Sequence, residues 1–490
     1  MVKSFRLSPV LWAAFGVAAG FYLPGVLFTS TKWPFFILLI PAAALCFFRV
    51  LSSINPKSRT LHLTAAYSTA FAAGLSLGIC AAGLQGGPLN FGIPEERVTA
   101  VKGVLLEDPG IAGGRAKAVL SLRESTGTGG QRVSAGGELT VFFPGENAQA
   151  LREFGRGAVV FAEGSLVEAS GGGRLFFAES LHIVKPASAL ERLRTGIRLD
   201  LLRRFNKAGW GGLALALLVG IRDNLDSNLA ALYREAGCSH VLALSGMHLA
   251  VLIAIISLLL KKPLGLRAAA IAGMVIIILY WFLVGPMPSL NRSVLMYLLG
   301  AFSVLCALPK DTLSLLGMAF VIQILISPGS GSSISFTLSY LALAGILIIG
   351  KAVRGLLAGK IPEIINMPVS ASVGAFLATA FVTSYFFGVL RPVGIIISLI
   401  LIPLTTVFMI GSLIWLFFNL FIPLFCGFLN PPLALLYRLM EKIVSLGGMV
   451  PGMETSRPMA VLALSLVISV FIMLLESKRR RTAGQLLPFN

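Results

Sequence analysis

The sequence predicts a polytopic α-helical membrane protein carrying one small extracytoplasmic β domain. Three observations lead there. Of its 490 residues, 56% are hydrophobic and only 12% are charged, whereas soluble domains carry about 25% charged residues. Its apolar stretches reach the ~20 residues that cross a bilayer as a helix. One long polar stretch, roughly 90–185, interrupts them and is divided into short alternating runs.

Residues 1–89 read as an N-terminal three-helix membrane module, with spans at about 9–28, 34–50 and 62–84. The first, "PVLWAAFGVAAGFYLPGVLF", has no small-residue cleavage site and is soon followed by another apolar segment, so it is expected to be a retained anchor. Lys3 and Arg6 precede it, and Arg49, Lys57 and Arg59 lie between the second and third spans. The positive-inside rule then puts the N-terminus in the cytoplasm and the polar stretch outside. The net charge of +19 could attract nucleic acid or anionic lipid, but this topology explains more than half of the excess. The five cysteines, Cys46, Cys80, Cys238, Cys306 and Cys426, show no CxxC spacing. They read as packed thiols, with a Cys80–Cys238 bridge as the alternative.

Residues 90–185 contain "TAVKGVLLED", "AKAVLSLRES", "ELTVFFPGE", "AVVFAEGSLVEA" and "LFFAESLHIV", separated by Gly-rich turns. Period-2 alternation at this spacing predicts an all-β barrel or sandwich of about five or six strands, a number that suits an OB-like barrel. The stretch has ten Lys/Arg against eleven Asp/Glu, no Trp or Tyr, and phenylalanines that fit core positions. A single-strand binding platform needs a cationic groove and exposed aromatics, so a scaffold or gate is the preferred reading.

Residues 186–210, "PASALERLRTGIRLDLLRRFNKAGW", change character. Leu190, Leu193, Ile197, Leu201 and Leu202 mark one helical face, while Arg192, Arg194, Arg198, Arg203, Arg204 and Lys207 crowd the others. This is a basic amphipathic helix expected to lie on the membrane surface against lipid headgroups; contact with a passing polyanion is the sharper alternative.

Residues 211–477 form a second helical membrane module, followed by a basic cytoplasmic tail, 478–490. Expected spans are 240–260, 266–284, 292–308, 312–328, 333–350, 368–388, one or two within 393–428, and 457–476; "PPLALLYRLMEKIVSLGGM" reads as an interfacial helix. The basic connections "KKPLGLR", "PKD" and "KAVRGLLAGK" fall inside at every other turn. Apolar segments broken by Pro or Gly, such as "LVGPMPSL" and "ILISPGSG", are frequent around transport pathways, and also occur in bundles without one.

The stretch "CSHVLALSGMHLAV", 238–251, concentrates the candidate chemistry. His240 and His248 would be separated by ~12 Å of helical rise, too far to share a metal. "ALSG" resembles the GxSG of rhomboid-type serine proteases, but Ala243 replaces the first Gly. A Ser245–His248 dyad within one turn would also be poorly oriented for attack. Buried histidines satisfied by their neighbours are the plain reading. Polar groups in a bundle nevertheless tend to face an interior cavity. The preceding segment, with Arg222, Asp223, Asp226 and Arg234, reads as the mouth of a polar pathway.

Over nearly its whole length the sequence resembles the ComEC-type competence channels that import DNA in natural transformation. "LVGIRDNLDSNLAALYREAGCSHVLALSGMHLAVL" carries the most recognisable motif through Gly220, Gly237, His240, Ala243, Ser245, Gly246 and His248. "SLNRSVLMYLL" matches through Arg292 and Met296, and "SISFTLSYLALAGI" through Phe336, Leu338, Ser339 and Ala342. "ATAFVTSYFFGVLRPVGIIISLILIPL" matches through Phe387, Gly388 and Pro392. The resemblance implies that the β domain is an OB-fold. Many such proteins also carry a C-terminal metallo-β-lactamase-like domain; this chain shows no His-x-His-x-Asp-His, and no enzyme activity, metal or cofactor is expected of it.

The expected function is a cytoplasmic-membrane channel that passes single-stranded DNA inward along Arg222, His240, Ser245, Gly246, His248 and Arg292. Arginines would meet the phosphates and Ser/His would offer neutral donors. Expected partners are single-stranded DNA, membrane lipids, and other competence proteins: a DNA receptor, a cytoplasmic ATPase or translocase, and a separate nuclease. The alternatives are a small-anion transporter or structural membrane protein and, more remotely, an intramembrane protease using Ser245.

Overall fold

The computed structural model describes residues 9–27, 70–82 apart from 72 and 79, and 89–485 apart from 113, 169–173, 245, 309 and 310. The expected span 34–50 and much of 62–84 lie outside the described residues. Helix α1 (Pro9–Leu27) is followed by a stretch of helix at Ala73–Ala82. Gly16, Gly74 and Gly78 let the two backbones touch, since a Cβ at any of them would lie within 2.3 Å of a carbonyl oxygen of the other.

The polar stretch folds as predicted into strands, because its side chains alternate between a covered and a wet face. β1 (Val98–Leu105), β2 (Gly110–Ala112), β3 (Arg115–Gly127), β4 (Arg132–Ser134), β5 (Glu138–Phe143), β6 (Val159–Glu168) and β7 (Arg174–Lys185) form one sheet. Among the long strands the pairing runs β1–β3–β5–β7–β6 and returns to β1; only β5–β7 is parallel. A short helix, α2 (Ala148–Phe154), connects β5 to β6. Val101, Leu120, Leu139, Val141, Phe143, Val160 and Phe176 are fully buried inside. The phenylalanines are not all core, however. Phe142 and Phe177, register partners on β5 and β7, stack half-exposed with centroids 5.2 Å apart. The Arg115 guanidinium lies 5.3 Å from the Phe177 centroid. Strand alternation places neighbouring residues on opposite faces, so Phe143 is inside while Phe142 is outside.

Helix α3 (Ala189–Phe205) begins at Ser188, whose hydroxyl accepts from the Glu191 N–H. It leads into α4 (Gly211–Val219), which is buried through almost its whole length. Then come α5 (Ser227–Glu235), α6 (Ser239–Leu242), α7 (Gly246–Pro263), α8 (Gly265–Val284), α9 (Pro288–Leu305), α10 (Thr312–Ile326), α11 (Ile334–Leu357), α12 (Glu363–Phe387), α13 (Val393–Phe421), α14 (Cys426–Gly448) and α15 (Pro458–Gln485). Gly265, at φ +74°, divides α7 from α8, and α11 contains a π-helical turn at Ile346–Gly350.

Among the described residues six helices are long and apolar enough to cross a membrane: α7, α8, α11, α12, α13 and the Pro458–Arg479 part of α15. The protein is therefore a multi-pass membrane protein. The segments expected at 292–308 and 312–328 are helical but not among these six: α9 carries Asn291 and Arg292, and α10 has only 15 residues. The expected span 240–260 starts late, because the chain leaves helical geometry after Leu242 and resumes it at Gly246.

The ambiguous tract 393–428 is one long helix, α13, which turns and returns as α14. Gly411 sits 2.9 Å (from its would-be Cβ) under Leu433, and a short β8 (Val389–Leu390)–β9 (Met453–Glu454) ladder closes the base of this hairpin. Phe205, Trp210, Phe408 and Trp415 form its aromatic contact with α3 and α4, at centroid distances of 4.9–5.9 Å.

Candidate membrane pathway

The geometry of the segment from Gly220 to His248 is set first by glycine. Gly220 ends α4 at φ +71°, and a Cβ there would meet Leu244 at 2.7 Å and Met287 at 2.8 Å. Gly237, also at φ +71°, would put a Cβ 2.9 Å from that of Arg391, and it backs onto Gly394 of α13. Both positions demand a residue without a side chain. Between them runs the charged entry segment. The exposed Arg222 donates to the Leu242 carbonyl at 3.1 Å, and Asp223 pairs with Arg152 of α2 at 2.7 Å.

The two histidines lie on different helices. His240, on α6, is exposed, with Nε2 3.4 Å from the Ser398 hydroxyl of α13. His248, on α7, is completely buried. Ala243 lies in the extended link between these helices, and Ser245 falls outside the described residues. Cys238 is a free buried thiol near the Gly394 carbonyl and the Ser398 hydroxyl, and Cys80 is free as well.

Gly246 and Arg292 do come together. A Cβ on Gly246 would stand 3.0 Å from the Ser293 hydroxyl and 3.3 Å from Arg292 Nη2, so α7 begins directly against the guanidinium. Arg292 is 8% exposed. It donates to the Ser339 carbonyl of α11, reaches the Ser293 hydroxyl at 3.5 Å, and lies 6.0 Å from the Tyr340 ring centroid. The Tyr340 hydroxyl donates to Gln323 at 2.9 Å, whose amide donates to the Pro288 carbonyl at 3.1 Å. Tyr340 and Gln323 were not picked out from the sequence; Gln323 is the single polar residue of the apolar run "VIQILI", and Tyr340 adjoins the motif residue Ser339 in "LSYLAL", which are the signals that could have found them.

The other motif positions are chiefly packing sites. Met296 packs against the cluster containing the buried Phe336. Leu338 is half-buried. Gly388 ends α12 at φ +67° and its carbonyl accepts from Thr455 N–H at 2.8 Å.

The basic helix departs from a simple surface stripe. Arg192, Arg203 and Lys207 are exposed, and Arg204 is half-buried. Arg194 is 1% exposed and Arg198 is 12% exposed, both turned into the protein. Arg194 pairs with Asp108 of the β1–β2 connection at 2.5 Å and donates to the Phe282, Leu283 and Val284 carbonyls at the end of α8. Arg198 donates to the Val219, Leu283 and Val284 carbonyls. Unsatisfied carbonyls and the negative end of the helix dipole explain why a guanidinium is stable at this spot. Burial by itself would raise the Asp108 carboxyl, but the Arg194 hydrogen bonds and the charges of Arg198, Arg194 and Arg156 hold it below the usual carboxylate range.

Comparison with known proteins adds the following. A family model described as "Competence protein" matches residues 217–480. An "Uncharacterized protein" of Aquifex aeolicus (strain VF5) is 29% identical over 224 residues, which cover 44% of this chain and 51% of the relative. The chain thus spans about half the length of that curated relative. No solved structure matches.

Proposed function

The chain belongs to the competence protein family, and from that premise we propose that it is the channel through which single-stranded DNA crosses the cytoplasmic membrane during natural transformation. The family is one of transport rather than of known enzymes, and its role is DNA uptake. Arg292 carries the finer reading. It is a buried cation, and among the described residues no carboxylate lies within ion-pair distance of it. Charges buried in a membrane bundle are costly and mark substrate paths. A phosphate passing between α7, α9 and α11 would supply the missing negative charge, while the carbonyl and hydroxyl contacts hold the guanidinium between passages.

On this reading the path enters past Arg222 and His240, runs along α7 beside Gly246 and His248, and meets Arg292. Residues 1–89 and 211–477 are the membrane modules, and 90–185 lies outside as an OB-like barrel. The closed pairing cycle, with one parallel contact and a helix between β5 and β6, supports the barrel assignment. Both termini face the cytoplasm. A DNA receptor, a cytoplasmic motor and a separate nuclease would work with it. The test is uptake of end-labelled DNA. A deletion strain should keep label bound at its surface and bring none inside, and normal transformation in that strain would refute the proposal.

A further inference from the structure

Helix α3 has three faces rather than two. At about 100° per residue, Leu190, Leu193 and Ile197 fall within about 60° of one another. Leu190 and Leu193 are each 61% exposed, and Ile197 is 44% exposed. The inward face carries Arg194 and Arg198 to the last carbonyls of α8. Arg192 and Arg203 occupy a third flank, about 120° from the leucines. An exposed stripe of large apolar side chains in water would be a liability, and a packed protein surface would have covered it.

Two contacts fix where this stripe lies. Arg194 and Arg198 cap α8, a helix long and apolar enough to cross the membrane, at its end. Ten residues on, in the same sector as the leucines, Arg204 donates to Asn419 near the end of α13 at 2.9 Å. Beyond Asn419 the turn of the α13–α14 hairpin is strongly apolar and open, with Phe421 69% and Leu424 82% exposed. The apolar flank of α3 runs from Leu190 to Ile197, ahead of the Asp200–Arg204 ion pair, and lies at the level where α8 ends.

We propose that α3 is an in-plane membrane strap. Leu190, Leu193 and Ile197 insert among the acyl chains of the leaflet on the β region's side, and Arg192 and Arg203 stand toward headgroups and water. The lipid contact is thus made by the leucine flank, while Arg194 and Arg198 fasten the β region to the bundle. The inference rests on the membrane nature of the chain and stands whatever the chain carries.

The test uses full-length protein with its five cysteines replaced by alanine, reconstituted in vesicles of phosphatidylcholine and phosphatidylglycerol. Leu193→Cys and Arg203→Cys are each labelled with bimane. Brominated acyl chains should quench the label at 193 at least about threefold more than at 203, and aqueous iodide should do the reverse. Ile197→Cys serves as the second site where Leu193→Cys fails to reconstitute. Iodide quenching at 193 and 197 would overturn the proposal by placing the stripe in water. Protection from both quenchers would overturn it in favour of a protein partner.

Discussion

Arg194 and Asp108, 86 residues apart in the chain, share two hydrogen bonds of 2.9 and 2.5 Å across the junction of the β region and the helical bundle. The pair lies against the carbonyls that end α8, so three separate parts of the chain converge on one guanidinium. Breaking such a pair from one side is costly, because the remaining charge stays buried. Asp108→Asn should lower unfolding free energy by about 3–5 kcal/mol, measured by thermal or denaturant unfolding in detergent.

The same carboxyl predicts an acid limb. Its folded pKa is depressed, so its stabilisation is present above the unfolded value near ~3.9 and is lost as pH falls through the lower folded value. Melting temperature recorded against pH should fall on that limb in the wild type, and the fall should be shallower in Asp108→Asn.

Arg292 should behave in the opposite way. With no carboxylate held opposite it among the described residues, Arg292→Met leaves no orphan acid and should keep the protein at wild-type level in the membrane. Transport should drop by roughly 10- to 100-fold if a charge-assisted contact worth about 1.5–3 kcal/mol is lost. Transformation frequency and immunoblotting of the same membranes separate the two effects.

Gly237→Ala should damage folding rather than transport. A left-handed backbone and a Cβ 2.9 Å from that of Arg391 together should cost about 1–3 kcal/mol. Reduced protein level at growth temperature, restored on cooling, is the expected readout.

The stacked pair on the β region is treated as structural. Phe142→Ala should cost about 0.5–1.5 kcal/mol of stability, seen as a lower melting temperature, with DNA uptake unchanged. Lost uptake at unchanged stability would instead make Phe142, Phe177 and Arg115 a base-stacking surface.

Strands were legible because period-2 alternation is a local signal: Ala116, Ala118 and Leu120 point in while Arg115 and Lys117 point out. The α13–α14 hairpin was not, because from Pro392 to Tyr437 the chain carries no charge to mark a turn. In the basic helix the apolar and charged flanks could be read from spacing. Which flank the protein covers depends on Asp108 and on the end of α8, both remote in sequence. For the same reason Arg292 was singled out from its motif, whereas its Tyr340–Gln323 neighbourhood required the fold. His240 and His248 share one short motif, yet the break at Ala243 and Leu244 gives them different surroundings.

The capping of α8 by Arg194 also bears on biosynthesis. The β region is complete once Lys185 has emerged, but the carbonyls that receive Arg194 belong to residues made 88–90 positions after Arg194 itself. At ordinary translation speed that delay is on the order of ten seconds. During it, the strands can close on themselves while the guanidinium bonds, among the described residues, to Asp108 and Glu191. The Arg152–Asp223 pair can form earlier, but attachment through Arg194 must wait until α8 has been made. Order of synthesis thus makes the β region an early, self-contained folding unit, and the insertion of α8 the event that locks it to the membrane.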